Sequence, residues 1–168
     1  MPSAASAAER RAWRRLLGKA LLLGGGAWFL MNFVFGIVQC GDEGMRPAVC
    51  AGDAVLYSRL RFPRPGETAV IRSGGRTLLA RVVAAAGDEV DITEQGLLIN
   101  GACQQEPGIA EKTFPLESEV RYPLRIPEGR VFLLGDHRSK AVDSRIYGSM
   151  GGAAVQGTAI AVLRTRGI

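Results

Sequence analysis

Gly135-Asp136-His137-Arg138-Ser139-Lys140-Ala141-Val142-Asp143-Ser144-Arg145-Ile146-Tyr147-Gly148 is the longest specific block in this chain. The apolar run at 131–134 leads into it and reads as a short strand. His137, the only histidine, reads most simply as a turn residue that hydrogen-bonds locally. Lys140 and Lys112 are the lysines that follow the apolar segment near the N-terminus.

Two further blocks precede this one. The first runs from Gly41 to Asp53 and contains Gly44-Met45-Arg46-Pro47 and then Gly52-Asp53. The second is Ala80-Arg81-Val82-Val83-Ala84-Ala85-Ala86-Gly87-Asp88. Around them the sequence reads as short strands with turn punctuation. Strands are expected at 53–60, 67–72, 76–84, 89–93, 96–100 and 157–164. Ser73-Gly74-Gly75 is a hairpin turn signal, and Asn100-Gly101 is another. Residues 102–127 are polar, proline-containing and irregular. The Ala/Ser-rich first eight residues are expected to lack order.

A chain of 168 residues makes one domain, or one domain and an appendage. Its 22 glycines favour turns and short strands over a helical bundle. The net charge of +5 is concentrated at one end. Arg10, Arg11, Arg14, Arg15 and Lys19 stand against Glu9, leaving +1 for the remainder. No basic stripe with interleaved aromatics follows, which argues against nucleic-acid binding. Cys40, Cys50 and Cys103 form no Cys-x-x-Cys pair, so no metal site and no cofactor is expected. A Cys40–Cys50 disulfide is open at this level, beside the plainer reading of small apolar filler.

Residues 20–38 form a nineteen-residue apolar run interrupted by Asn32. As a helix the run would be about 28 Å long, close to the hydrocarbon thickness of a bilayer. The basic residues before it favour a cytoplasmic N-terminus by the positive-inside rule. The run is longer than a signal-peptide core, and bulky Val38-Gln39 precede Cys40 where a cleavage site needs small residues. A permanent anchor is therefore expected. The layout is a basic cytoplasmic arm at 1–19, a transmembrane helix at 20–38 and an extracellular domain at 39–168.

The three blocks in this order, after one anchor, closely resemble the type I signal peptidases, a family of membrane-bound serine peptidases. Leu97-Leu98-Ile99-Asn100-Gly101 and Val131-Phe132-Leu133-Leu134-Gly135-Asp136 match family segments as well. The single anchor is similar to the Gram-positive form. The resemblance implies a mainly β fold of coiled antiparallel sheets, with an insertion at about 97–128.

It also implies a Ser-Lys dyad, in which a lysine with depressed pKa takes the proton of an attacking serine. Carried over residue by residue, the nucleophile falls on Gly44, the lysine on Ala80 and the lysine-orienting serine on Ala141. Asp42 falls next to the expected oxyanion hole, where a carboxylate opposes developing negative charge. Loss of a serine-protease nucleophile costs on the order of 10⁶ in turnover, so the resemblance implies a catalytically inactive member.

What the resemblance leaves is a groove for extended polypeptide, with Met45, Arg46, Pro47, Arg81 and Val82 as candidate contacts and Asp143–Arg145 as a structural pair. The implied partners are the lipid bilayer and an exported peptide or surface protein, including a role in surface-protein or pilus assembly. The competing expectation is an active peptidase with unconventional residues, such as Ser139 with Lys140 or Cys50 with His137.

Overall fold

The computed structural model describes residues 4–109 and 111–164, with side chains described from residue 9 onward. The chain divides into two units, one ending at Gly36 and the other beginning at Ile37.

The first unit is a helix, α1 (Ala4–Phe29), followed by a π-helical turn (Leu30–Val34). The helix reaches back through residues expected to lack order. Glu9–Val34 is long and apolar enough to cross a membrane, and none of it is buried within the protein. The apolar run does not stay helical to residue 38. It turns extended at β1 (Phe35–Gln39). Aromatic and β-branched Phe35, Ile37 and Val38, with Gly36 among them, favour strand over helix once the π turn has loosened the ladder. In that turn Asn32 Nδ2 donates to the Trp28 carbonyl at 2.8 Å. Hydropathy marks the run without distinguishing these conformations.

The second unit is built on antiparallel strands. The larger sheet contains β1, β2 (Ala54–Ser58), β3 (Thr68–Ser73), β4 (Arg76–Ala85), β9 (Arg130–Leu134), β10 (Met150–Gly151) and β11 (Val155–Leu163). Their order is β1-β2-β11-β3-β4-β9-β10. The smaller sheet holds β5 (Glu89–Thr93), β6 (Gly96–Ile99), β7 (Ala102–Cys103) and β8 (Leu124–Arg125), ordered β7-β6-β5-β8. A one-turn helix, α2 (Ser144–Tyr147), follows β9.

Two of the turns have a direct chemical cause. Gly74 and Gly75, at φ 57° and 78°, join β3 to β4. Asn100 and Gly101, at 53° and 79°, join β6 to β7. Two-residue hairpin loops with both φ values positive match strand twist and select glycine and asparagine.

Alternation along β3 and β4 buries the larger sheet on both faces. Val70 and Leu79 join Cys40, Met45, Val49, Val55 and Tyr57 on one face. Ala69, Ile71, Ala80 and Val82 pack with Val131 and Leu133 on the other. A third cluster, around Phe132, Val90 and Leu97, ties the two sheets together. Each fully buried Val, Leu or Phe contributes about 1.5–3 kcal/mol, so these clusters dominate the unit's stability. The core thus holds β3 and β4 rigidly beside the blocks at 41–53 and 135–148.

Candidate functional site

The loop at 41–53 is closed at its base by the backbone. Cys40 N–H donates to the Asp53 carbonyl and Gly52 N–H to the Cys40 carbonyl, both at 2.8 Å. Asp53 is buried and its carboxylate accepts from Cys50 N–H at 3.0 Å. Cys40, Cys50 and Cys103 are free thiols, and burial raises the Cys40 thiol pKa. Met45 is fully buried in the core cluster beneath the loop. It therefore has no surface to offer as a groove contact, contrary to the sequence reading, because an unbranched apolar side chain at the base of a closed loop is drawn into the core. Arg46 is exposed and pairs with Glu43 at 2.9 Å. Pro47 is exposed after a cis peptide bond.

The block at 135–148 is held by buried charge. Asp143 accepts from Arg145 Nε and Nη2, both at 2.9 Å, and from the backbone N–H groups of Gly135 and Arg145. Both side chains are about 2% exposed or less. Arg145 also donates to the Arg138 carbonyl at 2.6 Å. Asp143 caps α2, and Ser144 Oγ accepts from Leu133 N–H, joining the helix to β9. Arg138 is buried too. Its guanidinium donates to Glu106 at 2.5 and 2.9 Å and to the Thr113 hydroxyl. Ser139 donates twice to Glu111, and these hydrogen bonds lower the Glu111 carboxyl pKa.

Further contacts join the blocks to one another. His137 N–H donates to the Gly44 carbonyl at 2.9 Å, and its Nδ1 lies 3.2 Å from the Glu43 carbonyl oxygen. Arg81, on β4, grips Asp136 through Nε at 2.8 Å and Nη2 at 2.5 Å. That carboxylate raises the Arg81 pKa above its ordinary value. Val82 is fully buried in the core and lines, with Arg81, a second hollow bordered by Pro65 and Pro107.

A cavity of about 400 Å³ lies where these elements converge. Gly44, Ala80, Gly135 and Ala141 supply small residues to its lining. Ile71, Leu78 and Leu79 add an apolar wall, while Arg76, Lys140 and Tyr147 bring longer side chains. A Cβ placed on Gly44 would stand 3.7 Å from the Ala141 Cβ and 3.1 Å from Asp42 Oδ1. Positions 44, 80 and 141 therefore share one hollow. Asp42 Oδ1 already accepts the Gly44 N–H at 2.8 Å. A Cβ on Gly135 would come within 2.2 Å of the Ala141 Cβ and 2.6 Å of the Gly44 carbonyl oxygen, so only glycine fits there.

Of the other residues considered for chemistry, Cys50 and His137 do not line this cavity. Cys50 Sγ faces the Pro47 carbonyl, and Ser139 Oγ is engaged by Glu111. Lys140 does line it. The sequence reading missed the cavity wall at Ile71, Leu78 and Leu79, whose alternation looks like that of any half-buried strand. It also missed Glu106 and Glu111, which sit in an irregular stretch and meet Arg138 and Ser139, 32 and 28 residues away. No group of His, Cys, Asp and Glu that could hold a metal ion occurs among the described residues.

The architecture defines a mainly antiparallel β protein with one helix of membrane-crossing length. The chain belongs to the signal peptidase family, peptidase S26, whose family model matches residues 11–164. A probable thylakoidal processing peptidase 2 of Arabidopsis thaliana is 29% identical over 120 residues, covering 63% of this chain but 32% of that protein. The chain thus spans about a third of the length of the thylakoidal relatives it matches. Signal peptidase I of Bacillus licheniformis is 26% identical over 131 residues, covering 71% of this chain and 70% of that one. A crystal structure of a signal peptidase I from Enterococcus faecalis V583 aligns with a TM-score of 0.49 at 25% identity, covering 58% of this chain and 97% of that chain.

Proposed function

We propose that this chain is a membrane-anchored signal peptidase homologue that holds exported polypeptide in extended form without cutting it. The observation that carries the reading is the shared cavity of Gly44, Ala80 and Ala141. Taken as the family's nucleophile, base and base-orienting positions, these residues offer no hydroxyl and no amine. Asp42 adds a second obstacle, since its carboxylate takes the Gly44 N–H and puts negative charge where an oxyanion would need donors.

The backbone supports polypeptide binding independently of chemistry. β9 pairs with β4 only from Arg81 to Ala85, whereas β3 pairs with β4 from Arg76 to Arg81. Among the described residues no strand pairs with Arg76–Ala80 on the β9 side, and the cavity lies along this stretch. An extended segment can add there as a strand. The basic residues before the apolar helix favour a cytoplasmic N-terminus, with the β domain on the opposite side of the membrane. Assistance to surface-protein or pilus assembly is a use that such a holder could serve, and it rests on the family resemblance alone.

The test restores the missing groups in the full chain reconstituted in detergent. Gly44→Ser, Ala80→Lys and Ala141→Ser together are expected to leave a signal-peptide-bearing precursor intact while Asp42 remains. Adding Asp42→Ser is expected to give cleavage. Cleavage by the unaltered chain, abolished by Lys140→Ala or Cys50→Ala, would overturn the reading in favour of an unconventional peptidase.

A further inference from the structure

The cavity has a particular chemistry, and the inference drawn from it rests on the polypeptide-holding reading above. Four small residues, Gly44, Ala80, Gly135 and Ala141, leave about 400 Å³ unfilled against the Ile71, Leu78 and Leu79 wall. Pockets of roughly 300–1,000 Å³ accept drug-sized groups, so this one has room for more than a methyl. Val142 and Tyr147 also border it, each 54% exposed, and extend the apolar surface into solvent.

Charge around the cavity is asymmetric. Asp143 is neutralised by Arg145, whereas Asp42 keeps its negative charge on the Gly44 side of the cavity, where it accepts the Gly44 N–H. Lys140 and Arg76 are exposed and make no ion pair with other described residues. These cations border the same hollow as the unpaired strand edge at Arg76–Ala80.

We propose that the site selects an extended polypeptide segment in which a bulky apolar side chain enters the cavity and a neighbouring acidic residue meets Lys140 and Arg76. The apolar side chain supplies affinity, because each buried methylene is worth about a fourfold gain. The acidic neighbour supplies direction and selectivity more than strength, since such rim charges remain solvated.

The test uses blocked hexapeptides and the full chain in detergent, with binding read by fluorescence anisotropy. The central residue is alanine or phenylalanine, followed by glutamate or lysine. The phenylalanine–glutamate peptide is expected to bind at least about tenfold more tightly than its alanine counterpart. Lys140→Glu is expected to invert the preference between glutamate and lysine. Val142→Trp, an exposed substitution beside the cavity, is expected to erase the phenylalanine advantage. Equal or tighter binding of the alanine peptides would overturn this inference and leave the polypeptide-holding reading standing. Absence of binding by all four peptides would overturn both.

Discussion

Gly135 lets two separate blocks approach within contact distance. A methyl group there would collide with the Ala141 Cβ and the Gly44 carbonyl oxygen. Overpacking of this kind costs about 1–3 kcal/mol or more. Gly135→Ala is therefore expected to lower the denaturation midpoint clearly; an unchanged midpoint would mean the blocks are not held so closely. Asp143→Asn should cost about 3–5 kcal/mol, because it leaves the Arg145 charge buried with its partner removed. Arg46→Ala removes an ion pair of similar length between side chains 51% and 38% exposed, and should cost about 1 kcal/mol or less. Equal losses from the two substitutions in denaturant melts would contradict that ranking.

Tyr122 gives a pH test at the same scale. Its hydroxyl is buried with no hydrogen-bond partner among the described residues, and burial, with the Asp143 charge adding, pushes its pKa up from 10 to about 12. The folded chain holds this proton more tightly than the unfolded chain. The contribution to stability is therefore complete below pH 10 and is lost as pH rises toward 12. Subtracting the ultraviolet titration of Tyr122→Phe from that of the unaltered chain should isolate a step near 12. A step near 10 would show the ring to be solvated.

Strand β4 connects the fold to the site. Its C-terminal half, Arg81–Ala85, pairs with β9, while Arg76–Ala80 pairs among the described residues only with β3. Bound polypeptide should therefore slow amide hydrogen exchange at 76–80 and leave β5 and β6 unchanged. Uniform slowing across both sheets would point to general stabilisation instead of strand addition. The hairpins of β4 and β6 were legible in the sequence because Gly74-Gly75 and Asn100-Gly101 state their turn chemistry locally. The two-residue β7, β8 and β10 and the single turn of α2 carry too little pattern to be read. The change from helix to strand at Phe35 was hidden because apolar residues suit both conformations.

The whole molecule brings together three positions separated by 36 and 61 residues, 44, 80 and 141, around one hollow. Their sequence context marked them, but their meeting depends on long-range contacts such as Arg81–Asp136 and His137–Gly44 that no local pattern encodes. The same holds for Met45, whose neighbours suggested a groove while its side chain was drawn into the core. A single-turnover assay distinguishes a polypeptide holder from a peptidase. The unaltered full chain, in excess, is incubated with a signal-peptide-bearing precursor, and the products are read by mass spectrometry. Intact precursor that remains bound to the chain is expected. Release of a mature product by the unaltered chain, at a rate lost on Lys140→Ala, would contradict it.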